Sequence, residues 1–429
     1  GKSITNASGG NASLTIKTPG DMILETGSSI SSTTGALDTT LWTDSDATNG
    51  GYININTSTI KTNGGDISLV GGADGNGYAE GTSFQTAAPP HQDGISISSS
   101  TLDSRVYIAG TPQTSGGGTI TLKGKGYAGN LTLHGGGLWA GFGSVYTGGG
   151  DLVMDVQAQE NGGATEGGIR YGAYLDGMTI STNGGDVQIS TASPNSTWTG
   201  FHSSSSITAG AGDITISTDQ ISLGGAISGT GTLTIQPITS DTTIGIAGGA
   251  GTLNLSTTEI DYFQDGFSSI TIGKADAGAI TVGGADTFND DLNLINNSTI
   301  AINGALTIND NLALTSGGAI TQTQALDVNG NTTITAGSAN NITLTNTSND
   351  FTGEFSVVSG AAVSVKDANN ITLGDINMSG DLTAEAISGN LLLDGDIVKD
   401  SGADATATLK ATGYVTLADS TYIGSYTQD

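Results

Sequence analysis

The sequence predicts an all-β chain, a parallel β-helix (β-solenoid) in which short strands wind into stacked coils. Three observations predict it. A glycine-rich phrase recurs, as TNGGDISL at residues 62–69 and TNGGDVQI at 182–189, with looser copies GGTITL (117–122), GGDLVM (149–154) and AGDITI (211–216). Each copy opens a stretch in which aliphatic residues alternate with small polar ones, the period of a strand with one apolar face. In the C-terminal half, apolar pairs return in steps near 20 residues or twice that, a repeat length that marks solenoids.

The elements follow in order. The glycines supply turns that need positive φ. The pairs Ile67/Leu69, Ile120/Leu122, Leu152/Met154, Val187/Ile189 and Ile214/Ile216 are the inward positions of the strands that follow. Two series are expected in the later coils: Leu306/Ile308, Leu326/Val328, Val363/Val365 and Leu382, and Leu312/Leu314, Thr332/Ile334, Ile371/Leu373 and Leu391/Leu393. Residues 229–429 read as regular coils of about 20 residues. Residues 1–228 read as coils of the same stack carrying loop insertions, such as 71–94. With coils about 4.8 Å apart, some 15–20 of them would form a rod on the order of 70–100 Å long. Asn311 and Asn331 begin equivalent strands and are expected to form a side-chain ladder. A β-sandwich array is the competing architecture, but it requires hairpins and longer strands.

Composition narrows the function classes. The chain has 429 residues, with 69 Gly, 6 Pro and no Cys, so disulfides, thiolate metal sites and cysteine nucleophiles are excluded. It carries 40 acidic against 11 basic residues, a formal net charge of −29. Nucleic acid and anionic lipid need clustered cations and are not expected partners. No apolar stretch approaches the ~18 residues of a membrane-spanning helix. The N-terminus, GKSITNASGG, has no signal-peptide pattern and reads as the start of a mature or excised segment.

The run GTGTLTIQPITSDTTIGIAGGAGTLNLSTTEIDYFQDGFSSITIGKADAGAITVGG (229–284) carries a resemblance, above all in TLTIQP, GTLNLS, DGFSSITIG and GAITV. It resembles the large filamentous-haemagglutinin-like repetitive surface adhesins of Gram-negative bacteria, through about residue 395. The resemblance implies a right-handed parallel β-helix, export across the outer membrane with a secretion partner, and a cell-surface or extracellular role in attachment, aggregation or biofilm. Partners it implies are host or neighbouring-cell glycans or proteins, or copies of the chain itself.

Candidate sites are few. Trp139, Phe142 and Tyr146, with Tyr171, Tyr174, Trp198 and Phe201, are expected to form an aromatic patch suited to neutral sugars; the competing reading is that they pack loops onto the coils. Acidic turns offer calcium ligands at Asp44 and Asp46, Asp74, Asp290 and Asp291, and Asp394 and Asp396, against a reading as solvated turns. Glycoside hydrolysis needs two facing carboxylates, and no pair is singled out. Arg105 and Arg170 are the only arginines, too few for a lyase of anionic sugars. His91, His134 and His202 share no metal or triad spacing and read as exposed loop residues. The expectation is a non-enzyme, a structural or adhesive segment. A filament or surface-layer component without specific ligand is the alternative, with contacts concentrated in residues 50–210.

Overall fold

The structure, a computed structural model, describes residues 1–48, 50–82, 92–129, 134–159, 169–193, 198–399 and 405–418. They form two compact units, one of Gly1–Thr234 with Tyr262–Gln264 and one of Ile235–Asp261 with Asp265–Asp429. Each is built from short strands paired in parallel with strands of the neighbouring coils, the expected β-helix.

In the first unit each coil contributes a strand to each of three sheets. One sheet runs Ser3–Asn6, Ser29–Ser32, Thr59–Lys61, Thr101–Asp103, Ser144–Tyr146, Thr179–Ser181, Ser206–Thr208 and Ile227–Ser228. The second runs Met22–Leu24, Ile53–Asn56, Ile95–Ser98, His134–Gly141, Ile169–Asp176, Thr199–Ser203 and Ile221–Leu223. The third contains Ala12–Lys17, Leu37–Trp42, Ile67–Val70, Ile120–Lys125, Leu152–Gln157, Val187–Ala192 and Ile214–Thr218. Register places like on like: Ile53, Ile95 and Leu138 are successive partners, as are Ile120, Leu152, Val187 and Ile214. These columns are buried, and each Leu or Ile so placed contributes about 1.5–3 kcal/mol of burial.

The TNGGD phrase is a corner. The Thr hydroxyl donates to the carbonyl of the second glycine, Thr62 to Gly65 and Thr182 to Gly185, the latter at 2.5 Å. Asn63 and Asn183 turn at φ 54° each, and the first glycines follow at φ 95° and 116°. The second glycines of successive corners, Gly118, Gly150, Gly185 and Gly212, lie so close that a Cβ on each would meet the backbone of the one before. The aspartate then ties the coils together. The Asp151 carboxylate accepts the Asp186 N–H at 2.9 Å, Asp186 accepts from Asp213 at 2.9 Å, and Asp213 accepts from Thr232 at 2.7 Å. These partners are 35, 27 and 19 residues apart, so the coils shorten while the corner stays fixed.

Inserts account for the longer coils. Residues 71–80 fold back over the outer side of the third sheet. Trp42 Nε1 donates to the Gly72 carbonyl at 2.6 Å, Lys123 Nζ to the Asn76 carbonyl at 3.0 Å, and the Tyr78 hydroxyl to Asp155 at 2.9 Å. Tyr107–Ile108 and Thr111–Pro112 form a small antiparallel hairpin, anchored where the Arg105 guanidinium meets Asp103 at 2.7 Å.

The second unit keeps coils of even length. One sheet includes Ile280–Val282, Ile300–Ile302, Ile320–Gln322, Ile342–Leu344, Val363–Asp367 and Leu382–Ala386. Another is Asp286–Phe288, Leu306–Ile308, Leu326–Val328 and Asp350–Phe351. A third includes Leu292–Ile295, Leu312–Thr315, Thr332–Thr335, Glu354–Gly360, Ile371–Met378 and Leu391–Leu393. The predicted Asn ladder is present: Asn311 donates to Asp291 at 2.8 Å, and the Asn331 N–H to Asn311 Oδ1 at 2.8 Å, each across 20 residues. A second ladder joins Asn289, Asn309 and Asn329.

One expectation is corrected. Leu306 and Leu326 pair with each other, but Val363 and Leu382 belong to a different sheet; Val328 is followed by Phe351, and Val363 is preceded by Ile342. The step of 37 therefore crossed from one column to another. A short helix, Thr257–Ile260, interrupts the strands, started by a capping box in which Ser256 and Glu259 satisfy each other's backbone N–H.

Candidate aromatic face

In the second sheet of the first unit one column points away from the aliphatic interior; it is buried at Asn54 and Ser96 and partly exposed from Trp139 onward. Asn54, Ser96, Trp139, Tyr174, His202 and Ser222 are successive partners along its outward column. Trp139, Tyr174 and His202 therefore stand on three adjacent coils. The Tyr174 and His202 rings stack, with centroids 4.3 Å apart and planes at 21°. His202 Nδ1 lies 3.2 Å from the Ser222 hydroxyl. Burial lowers the His202 pKa, and the Asp176 carboxylate opposes that shift.

Two glycines let rings lie down on the sheet. A Cβ on Gly141 would sit 2.8 Å from the six-membered ring of Trp139, so the indole covers Gly141. A Cβ on Gly177 would sit 3.3 Å from the Phe142 ring, which is 67% exposed. Asp176 is the register partner of Gly141 and the chain neighbour of Gly177, so it stands among these rings. Its Oδ1 accepts the Ser204 hydroxyl at 2.9 Å.

Not every aromatic candidate belongs here. Tyr171 and Phe201 are buried, at 1% and 0% exposure, and point into the coil. Alternation explains it: Ala173 and Leu175 are inward, so Tyr174 faces out and Tyr171, three residues earlier, faces in. Tyr146 lies on the first sheet beneath the Arg105 guanidinium, 4.0 Å from its ring centroid. Trp198 lies 5.3 Å from the Arg170 guanidinium, which donates to the carbonyls of Tyr127, Gln159 and Gly129. The expected seven-membered patch reduces to Trp139, Phe142 and Tyr174, joined by His202. His202 is thus a half-buried strand residue and not an exposed loop residue. His91 and the side chain of His134 lie outside the described residues.

The Tyr171 hydroxyl meets the fully buried Asp93 at 2.9 Å, and the Gly136 N–H donates to the same carboxylate at 2.7 Å. Burial is the main cause that pushes the Asp93 pKa up to about 7. Sequence reading had no signal for Asp93, which sits in the GGADGNG…HQDG insertion as one acid among many.

Four of the candidate carboxylates accept backbone N–H groups. Asp46 accepts from Thr48, Asp74 from Asn76, Asp290 from Gly266 and Asp291 from Asn311. Lys123 already places a cation on the carbonyl of the Asp74 turn. Asp44 is buried, and its pKa is raised by burial and then by Glu80 and Asp46. Asp394 is exposed, and the Asp396 N–H donates to Asp375. Among the described residues no three acidic, His or Cys side chains converge as a metal site. A shallow depression of about 340 Å³ lies on the third sheet, lined by Val153, Asp155, Gln188, Ser190, Thr215 and Ser217. Its one carboxylate, Asp155, is engaged by Tyr78.

Comparison with known proteins gives one family match: residues 289–358 fit a family described as "Repeats of unknown function (DUF5649)". No curated protein and no solved structure matches the chain.

Proposed function

We propose that this chain is a structural and adhesive segment of a large exported bacterial surface protein, acting in attachment, aggregation or matrix formation and not in catalysis. The observation that supports it is the division of labour around each coil. Aliphatic columns fill the inside and Asp or Asn ladders lock the corners, so stability is supplied by neighbour-on-neighbour stacking. Outward side chains are left to make contacts, and in the first unit they gather three aromatic residues and a histidine on one face. The even 20-residue coils of the second unit suit a spacer. Weak contacts at such faces on many copies would sum by avidity. In this reading the chain passes an outer-membrane secretion partner and meets host or neighbouring-cell glycans or proteins, or its own copies.

The test is immunogold electron microscopy of intact producing cells, paired with an aggregation assay of cells lacking the gene. Surface label and reduced aggregation are expected. Label confined to the cell interior would sink the proposal.

A further inference from the structure

We infer that Asn303 is a site of spontaneous covalent modification, at which the Gly304 amide nitrogen closes on the Asn303 carboxamide carbon while the Thr323 hydroxyl holds its oxygen. The inference stands apart from the preceding proposal and needs nothing from it.

The sequence contains seven Asn–Gly pairs, of which those at Asn49 and Asn161 lie outside the described residues. Such pairs share a latent reaction. The glycine nitrogen, deprotonated by hydroxide, attacks the side-chain carbonyl, and glycine has no β-carbon to obstruct the approach. At Asn303 the Gly304 N–Cγ bond forms and the Cγ–Nδ2 bond breaks. The amide proton ends on the departing nitrogen, which leaves as ammonia. Water then opens the resulting succinimide at either carbonyl, giving aspartate or isoaspartate. Neither oxidant nor reductant enters.

What separates the pairs is the state of the glycine N–H. Gly64 donates to the Ser104 carbonyl at 3.0 Å, Gly184 to Ala209 at 2.6 Å and Gly330 to Asp310 at 3.0 Å. Each must give up a hydrogen bond between coils before its nitrogen can attack. Gly77 is bridged to Gly71 within the 71–80 insert. Among the described residues nothing accepts the Gly304 N–H.

The carboxamides differ in the same sense. Asn63 Nδ2 donates to the Gly35 carbonyl at 3.1 Å and Asn329 Nδ2 to Asn309 at 3.2 Å, contacts that hold the leaving nitrogen in place. Asn303 is exposed, and its side-chain contact is on the oxygen, where the Thr323 hydroxyl donates at 3.2 Å. A donor there draws charge from Cγ and stabilises the oxyanion that forms on attack. Isoaspartate would lengthen the main chain by one carbon at a crowded corner, since a Cβ on Gly304 would already run into the Gly284 carbonyl. The reaction therefore ages the second unit at one defined place, between the strands Ile300–Ile302 and Leu306–Ile308.

The experiment incubates the full chain at pH 8, folded and in urea, and follows the amide-to-acid mass change at each Asn–Gly pair by peptide mapping. In the folded chain Asn303 should convert about tenfold faster than Asn63, Asn183 or Asn329. In urea, where every glycine N–H is released, the four should convert at similar rates. Thr323→Val should slow conversion of Asn303 about threefold in the folded chain, with β-sheet circular dichroism unchanged. Three results would overturn the inference. They are conversion of Asn303 no faster than the other three when folded, the same lead for Asn303 in urea, or an unchanged rate in the Thr323 variant.

Discussion

Thr191, between Val156 and Thr218, and Thr332, between Leu312 and Phe355, are buried, and neither hydroxyl oxygen has a hydrogen-bond partner. A buried hydroxyl without a partner keeps its desolvation cost and gains nothing for it. Thr191→Val and Thr332→Val are therefore expected to stabilise their units by about 1 kcal/mol each, read as a higher denaturation midpoint in urea. Asp93 is the other residue whose effect has a definite sign. Its folded pKa of about 7 lies above its ordinary value of 3.8, so its protonated form favours the fold. The stability it contributes is fully present below about pH 4 and is lost as pH rises through 7. Asp93→Asn keeps an oxygen for Gly136 and Tyr171 and removes the charge. The variant should match wild type near pH 4 and exceed it at pH 8, by a few kcal/mol at most, in thermal melts followed by circular dichroism.

At the scale of elements the corner is the unit of design. Gly185→Ala would drive a methyl group into the Gly150 carbonyl, and backbone on both coils must shift. A cost of about 1–3 kcal/mol is expected in urea denaturation. Asp186 acts through one carboxylate oxygen on the Asp213 N–H, and Asn does the same work at Asn311, Asn331 and Asn390 in the second unit. Asp186→Asn should then be neutral or slightly stabilising, whereas Asp186→Ala should lose about 1 kcal/mol. Much of this element was legible in the sequence, because the corner needs positive φ and no side chain, and only glycine supplies both. Which coils stack on which was less legible. Partners of the aspartate ladder lie anywhere from 19 to 35 residues apart, so spacing alone misassigned Val363 to the Leu326 column. Strand parity held the orientation of Tyr171 against Tyr174, but only once Ala173 and Leu175 were known to be inward. The flat seating of Trp139 depends on Gly141 two residues on, a relation no periodicity reveals.

Over the whole molecule two electrostatic effects push the same way and can be separated. A formal charge of −29 makes the folded chain repel itself, an effect carried by exposed groups and screened over about 8 Å at physiological salt. Buried acids add a second effect that salt reaches poorly. Besides Asp93, burial raises Asp286 and Asp367 to about 6 each. Asp367 is fully buried and accepts the N–H groups of Phe351 and Asn369 at 2.7 Å each. All three are raised above 3.8, so each favours the fold below about pH 4 and loses that contribution as pH rises through 6 to 7. The chain should therefore melt at higher temperature at pH 5 than at pH 8. At 0.02 M NaCl that difference contains both effects; at 0.5 M the repulsion is screened and the buried acids remain. Replacing Asp93, Asp286 and Asp367 together by Asn should flatten the high-salt profile between pH 5 and 8 while leaving the low-salt slope partly intact. A high-salt profile already flat in the wild type would mean that these carboxyls are solvated in solution, and that the coil interiors admit water where the structure packs them dry.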